Sequence, residues 1–283
     1  GYVGGHLVAR LAAGGEPVRG LVRRPQANLP AGVDSVQGDI TEPDSLPAAV
    51  EGVETVIHCA AITGDRKEPY RGAYDRVNRE GTANLVAAAR AAGVQRLVVV
   101  SGLGCKPAPA GTYMATRWGL EEAVRGGEIP YVILQPSVLF GAGAPFVGAL
   151  AGLARWSPVL PALGGGRTRF QPLWIDDLVT CLAAATTTDR LLGAEYPLGG
   201  AEILTFREIL ETISAALGKR RLIVPLPLGI ASLQARALTA LLPNPPLTPA
   251  AIELFRFENA TDLDSVERRF KFKTKGFRQL PLP

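Results

Sequence analysis

The sequence predicts an α/β fold: a doubly wound parallel sheet flanked by helices, followed by a smaller and less regular C-terminal α/β lobe. Three observations predict it. Short β-branched runs alternate with amphipathic segments through the first two-thirds of the chain. Those runs are almost continuously apolar, as strands covered by helices on both faces require. After Gly141 the texture changes, and Pro, Gly and Ala become dense as far as Gly166.

The elements can be justified in order. Leu7, Val8 and Leu11 lie at helical spacing over residues 4–13, and Gly14-Gly15 supplies the stop. Strands are expected at residues 18–22, 33–36 and 55–59, the last apolar throughout and therefore expected to be buried on both faces. A long helix follows over residues 72–92 with Gly93 at its end, then a strand at 97–100. A helix at 113–124 and a strand at 131–134 complete the first part. Beyond it, short strands are expected near 169–172, 195–198 and 222–225, with a helix near 229–242. The domain reading is 1–142 for the first domain and 143–283 for the lobe, with about 168–200 partly returning to the first.

Composition narrows the function classes. The chain has 283 residues, enough for one large or two modest domains. With 47% hydrophobic and 20% charged residues it is neither a disordered tail nor a low-complexity array. A net charge of +4 is too small to call for nucleic acid. Cys59, Cys105 and Cys181 are isolated, which fits a reducing compartment; with only His6 and His58, no metal site is expected. Pro225, Pro227, Gln234 and Arg236 interrupt the apolar stretch 222–242, which therefore reads as a strand and an amphipathic helix rather than a bilayer span. The expected location is cytoplasmic, with the inner face of a membrane as the other reading.

Two features point to a dinucleotide. Gly1-Tyr2-Val3-Gly4 opens directly into a helix, where glycines let a backbone approach a pyrophosphate at the helix N-terminus; a plain helix-entry turn is the alternative. About 20 residues on, the second run ends in Arg23-Arg24, where an acid would serve the ribose of NAD and Arg suits the 2′-phosphate of NADP. NADP(H) is favoured over NAD(H) on charge grounds. Asp39, ahead of Ile40, is either an acceptor for an adenine amino group or a turn acid.

The runs GYVGGHLVARL, LVRRP, GDI, VIHCAA, YDRVNREGTANLVAAAR, LVVVSGLG, YMATRWGLEEAVR and ILQPSVLFGAG, in this order and spacing, resemble the extended and atypical short-chain dehydrogenase/reductases. More narrowly, with GGGRTRFQPLWIDDLV and YPLGGAEILTFREIL, they resemble the nucleotide-binding proteins related to the 39 kDa accessory subunit of respiratory NADH:quinone oxidoreductase, with NmrA-like proteins next. The resemblance implies a Rossmann-type domain and NAD(P)-dependent oxidoreductase or epimerase/dehydratase chemistry. In that family the pattern opens with a strand and T-G-x-x-G-x-x-G, so the expectation is a fragment whose first strand lies upstream. Cofactor contacts are implied at Gly1, Tyr2, Val3, Gly4, Arg23, Arg24, Asp39, Ile40, Cys59, Ala60, Ala61, Asn78, Tyr113, Arg117, Pro136 and Val138.

The family's catalytic set is a Tyr, a Lys four residues on and a strand-end hydroxyl. One helical turn places the cation beside the phenol, lowering its pKa so that it can act as acid or base. Here the set reads Tyr113, Arg117 and Ser101, with the hydroxyl position falling on Gly102 unless Ser101 substitutes. Arg keeps the charge, but its planar fork does not replace an ammonium at a tight ribose contact. Each residue has a plain structural alternative: packing for Tyr113, a solvated pair with Glu121 for Arg117, a local backbone bond for Ser101, a helix-kink bond for Asn78 and strand termination for Pro136. The competing functions are a weak or specialised oxidoreductase/epimerase on an unidentified small molecule and a non-catalytic nucleotide-binding subunit. A peripheral membrane protein resting on the 229–242 helix is a third.

Overall fold

A computed structural model describes residues 1–24 and 29–279 of the chain. The chain divides into two compact units. The first comprises Gly1–Ile62, Glu68–Gln135 and Val179–Tyr196; the second comprises Thr63–Lys67, Pro136–Leu178 and Pro197–Pro283.

The first unit begins with α1 (Tyr2–Ala13), which ends where Gly15 takes φ +77°, a conformation costly for other residues. Parallel strands β1 (Arg19–Val22) and β2 (Asp34–Gln37) follow, with Val22 opposite Gln37. After a single-turn helix α2 (Pro47–Val50) comes β3 (Thr55–His58). A π-helical segment (Asp75–Glu80) runs into α3 (Gly81–Ala91), then β4 (Arg96–Val100), α4 (Tyr113–Arg125) and β5 (Tyr131–Pro136). The strands β3, β4 and β5 are parallel, which the intervening helical crossovers demand. In the second half of the chain come β6 (Leu139–Phe140), α5 (Pro145–Trp156), β7 (Val159–Leu163), β8 (Arg169–Phe170), β9 (Leu173–Trp174), α6 (Ile175–Thr187) and β10 (Ala194–Leu198). Strand β10 lies on the far edge of β5, so the four-stranded sheet reads β10-β5-β4-β3.

Among the described residues β1-β2 and the four-stranded sheet are separate ladders. Strand β3 therefore has a partner on one edge only, and Thr55, Val56 and Ile57 are half-buried. That corrects the expectation of a strand buried on both faces: an apolar run reports composition, whereas burial needs neighbours. The core lies instead around β4 and β5, where Leu97, Val99 and Ile133 pack with Leu85, Val86, Leu120 and Val124 of the helices. Thr112 caps α4 by accepting from Ala115 N, as a helix start requires.

The second unit is built from short strand pairs. β6 pairs in parallel with β9, β7 in parallel with β12 (Leu222–Leu226), and β8 antiparallel with β11 (Leu204–Thr205). Thr205 and Glu208 form a capping box that starts α7 (Phe206–Ala216). Phe170, Phe206 and Phe255 meet edge-on or tilted at centroid distances of 4.8–6.1 Å and fill its centre. Three further helices, α8 (Leu228–Leu241), α9 (Pro249–Glu253) and α10 (Ser265–Phe270), complete it. Helix α8 buries Ala231 and Ala235 but leaves Ile230, Leu233 and Leu241 exposed. Among the described residues no helix is long and apolar enough to cross a membrane.

The backbone makes one close approach that fixes how α3 lies on the rest of the first unit. A Cβ on Gly81 would fall 2.8 Å from Ile40 Cγ1. Gly81→Ala should therefore destabilise the chain by about 1–3 kcal/mol through overpacking. A reduced urea midpoint with unchanged slope is the expected readout, and parent-like unfolding would refute the close packing.

Candidate functional site

In the first unit, Arg23, Arg24, Asp39, residues 59–61 and Ser101 follow the C-terminal ends of parallel strands, where open α/β sheets hold their ligands. At the start of α1, Gly1 is the N-cap, no side chain caps the helix and its first turn carries no acid. A Cβ on Gly4 would stand 3.9 Å from the Cys59 Cβ, so α1 enters close to the end of β3. Such a helix end presents backbone N–H groups and a positive dipole to an anion. Cys59 and Ala61 are half-buried and Ala60 is exposed just past β3, and burial pushes the Cys59 thiol up to about 12, so it stays protonated.

Arg23 and Arg24 are both exposed immediately after β1. Gly38 N donates to Val22 O (3.0 Å), so the ends of β1 and β2 stay level and Asp39 arrives beside Arg23, 4.0 Å from carboxylate to guanidinium. Asp39 is also a turn acid: its Oδ1 accepts from Thr41 N (2.9 Å) and from the Thr41 hydroxyl (3.0 Å). The two sequence readings of Asp39 are thus compatible, because its second oxygen is the one facing Arg23. Ile40 is a core side chain, and its carbonyl accepts from Asn84 Nδ2 (3.0 Å).

Asn78 sits in the π-helical segment, fully buried, and all its amide atoms are used. Its Oδ1 accepts from Ile62 N (2.8 Å), while Nδ2 donates to Ile62 O (3.1 Å) and to Thr116 Oγ1 (3.2 Å). Asn78 therefore holds the backbone beyond β3 against α4, one residue from Arg117. The network continues: the Thr82 hydroxyl donates to Asn78 O (2.6 Å) and so accepts from His58 Nε2–H (2.9 Å). Burial, helped by the nearby Arg117 charge, lowers the His58 pKa from 6.5 to about 4, which keeps the ring neutral. Sequence reasoning treated His58 only as packing; its bond to Thr82 was not readable from spacing.

The catalytic candidates come from α4 and the end of β4. Tyr113 opens α4, is buried, and meets the Tyr74 ring edge-on at 5.3 Å. One turn on, Arg117 is only 6% exposed, with its guanidinium 3.4 Å from Val100 O. The solvated Arg117–Glu121 pair does not form. Glu121 is fully buried and accepts instead from Arg125 (2.6 Å) and Gln135 Nε2 (2.9 Å). Among the described residues no carboxylate pairs with Arg117, and a buried guanidinium without one is costly. Ser101 is 4% exposed at the end of β4; its hydroxyl makes no hydrogen bond of normal geometry among the described residues, with the Cys105 thiol as a neighbour. A Cβ on Gly102 would lie 3.8 Å from the Arg117 guanidinium, an ordinary contact.

Pro136 and Val138 belong to the second unit. Pro136 is buried as the last residue of β5 and does not end the pairing, since Ser137 N donates to Leu198 O (2.9 Å). Val138 N donates to Asn259 Oδ1 (3.1 Å) and its carbonyl accepts from Leu173 N (2.9 Å). Its backbone is thus already engaged.

An uncapped helix end free of acid, exposed guanidiniums at the end of β1, and a buried cation at the end of β4 fit an anionic nucleotide. They suit the class of α/β nucleotide-binding proteins. Comparison with known proteins makes this specific. Residues 1–144 match the profile of a family described as NAD(P)H-binding. The chain belongs to this NAD(P)H-binding family, within the extended and atypical short-chain dehydrogenase/reductases. It is 31% identical over 230 residues to a ceramide reductase of Caulobacter vibrioides, covering 80% of this chain and 71% of that protein. Over 278 residues it is 25% identical to a mitochondrial NADH dehydrogenase [ubiquinone] 1 alpha subcomplex subunit 9 of Arabidopsis thaliana, covering 94% and 68%. Its fold is shared with the dTDP-glucose 4,6-dehydratase DesIV of Streptomyces venezuelae, solved with NAD and TYD bound, at TM-score 0.75 and 20% identity over 99% of this chain and 91% of that one.

The depressed His58 pKa makes stability pH-dependent. Between pH 6.5 and about 4 the unfolded chain binds a proton there that the folded chain refuses. This group's contribution is therefore complete above pH 6.5 and lost as pH falls through that window, by about 3 kcal/mol. In urea unfolding at pH 7 and pH 4.5, His58→Gln should show a smaller loss than the parent; equal losses would contradict a neutral buried ring.

Proposed function

We propose that the chain is an NADP(H)-preferring oxidoreductase of weak or specialised activity. In this reading the α1 entry at Gly1–Gly4 takes the pyrophosphate, Arg23 and Arg24 take the 2′-phosphate, Asp39 serves the adenine amino group, and residues 59–61 line the backbone path. The nicotinamide supplies or accepts the hydride. As hydride reaches a carbonyl carbon, Tyr113 donates its phenolic proton to the oxygen, and Arg117 stabilises the tyrosinate left behind. Ser101 offers the substrate oxygen a second hydrogen bond. The observation that carries this reading is the Arg117 guanidinium, buried one turn from Tyr113 and paired with no carboxylate among the described residues. The likeness to a ceramide reductase extends the proposal to a lipid-like substrate.

A second reading, a nucleotide-holding subunit without turnover, draws on Gly102 at the hydroxyl position, on the engaged backbone of Val138 and on the likeness to the NADH dehydrogenase subunit. Respiratory-complex association belongs to that reading.

Fluorescence titration should show NADPH binding more tightly than NADH. Converting both Arg23 and Arg24 to Ala should abolish the difference; equal affinities in the parent would defeat the assignment. Tyr113→Phe should remove hydride transfer by roughly a hundredfold or more while cofactor affinity stays near the parent value, and persistent turnover would exclude Tyr113 as the acid. Gly102→Ser, which the space beside Arg117 admits, should raise turnover if the chain is an impaired enzyme. No activity in the parent or in this variant would favour the second reading.

A further inference from the structure

One end of the second unit carries an apolar surface that the fold leaves uncovered. Helix α5 ends at Trp156, 89% exposed, with Leu153 exposed one turn earlier. In the β7-β12 pair, the register sets Leu222, 64% exposed, beside Val159, and places Val224 two residues further along the same face. Leu160 and Ala162 alternate with these to the opposite face and are fully buried. Arg221 ties the strand entry to the helix end, its Nε donating to Ala154 O (2.7 Å) and its guanidinium to Arg155 O (3.1 Å). Leu222 N donates to Pro158 O (3.0 Å). These bonds fix Lys219 and Arg220, both exposed, next to the apolar face.

The segments that expose this face are rich in cations. Residues 129–175 and 212–252 contain no Asp or Glu, so α5, β7, β12, α8 and the turn before β12 carry only cations, Arg155, Lys219, Arg220, Arg221 and Arg236, while the two acids of the neighbouring α7, Glu208 and Glu211, pair with Arg278 and Arg207. Among the described residues neither Lys219 nor Arg220 pairs with a carboxylate. Helix α8, in the same acid-free stretch, exposes Ile230, Leu233 and Leu241.

We infer that this end of the second unit docks on an anionic lipid bilayer. Trp and Leu side chains enter the boundary between headgroups and acyl chains, while Lys and Arg meet the phosphates. A second copy of the chain would bring cations against cations, and a protein interface is ordinarily depleted in Lys. The surface is independent of the cofactor reading.

Co-sedimentation of the full chain with vesicles of equal parts phosphatidylcholine and phosphatidylglycerol tests it, with phosphatidylcholine alone as the comparison. Binding is expected to the anionic vesicles and to weaken with salt. Changing Lys219 and Arg220 to Glu, or Trp156 and Leu222 to Ala, should each lower vesicle affinity roughly tenfold or more, with thermal midpoints unchanged because these side chains are exposed. Bromine-labelled lipids should also quench the tryptophan fluorescence of the unaltered chain. No pelleting with anionic vesicles, undiminished binding by both variants, or a self-association lost in the Trp156/Leu222 variant would overturn the inference, the last assigning the face to a second copy.

Discussion

Everything at the strand ends depends on how one buried carboxamide is used. Asn78 takes both backbone groups of Ile62 and the Thr116 hydroxyl, so a single side chain sets the distance between the segment leaving β3 and the helix that carries Tyr113 and Arg117. Thr82 and His58 extend the same network inward, and each donor has an acceptor. A buried network of this kind rigidifies when complete and is costly when any member is lost. The fixed position of α4 is therefore as much a product of polar bonding as of the Leu120 and Val124 contacts beneath it.

The electrostatics of the first unit share one theme. Its helix entry lacks an acid, the end of β1 carries two exposed guanidiniums, and α4 buries a third that no carboxylate among the described residues pairs with. Glu121, the nearby acid that sequence spacing offered to Arg117, is committed to Arg125 and Gln135. These cations stand at the strand ends of a chain whose overall charge is only +4.

Much of the fold was legible because local chemistry and tertiary role agree. The end of α1 reads from Gly14-Gly15. The arginine pair reads from its distance to the glycine turn and Asp39 from the close of its strand, and Asp39 stands 4.0 Å from Arg23. Other features had no sequence signal. The burial of Arg117 depends on which of two cations, each one turn from Glu121, captures that carboxylate, which Gln135 of β5 also binds. The half-buried β3 depends on its lateral neighbours. Helix α8 is apolar on two sides, and periodicity cannot say which side the fold covers.

The π-helical segment has a consequence for engineering. Its wide turn, closed by Gly81 N to Arg76 O, holds one residue more than an α-helical turn would. Excising that residue would regularise the hydrogen bonding but rotate what precedes it by about 100°, swinging the carboxamide off its partners. A straighter and thermally hardier helix would then come at the expense of the strand-end architecture, so consensus idealisation is the wrong instinct at this one place.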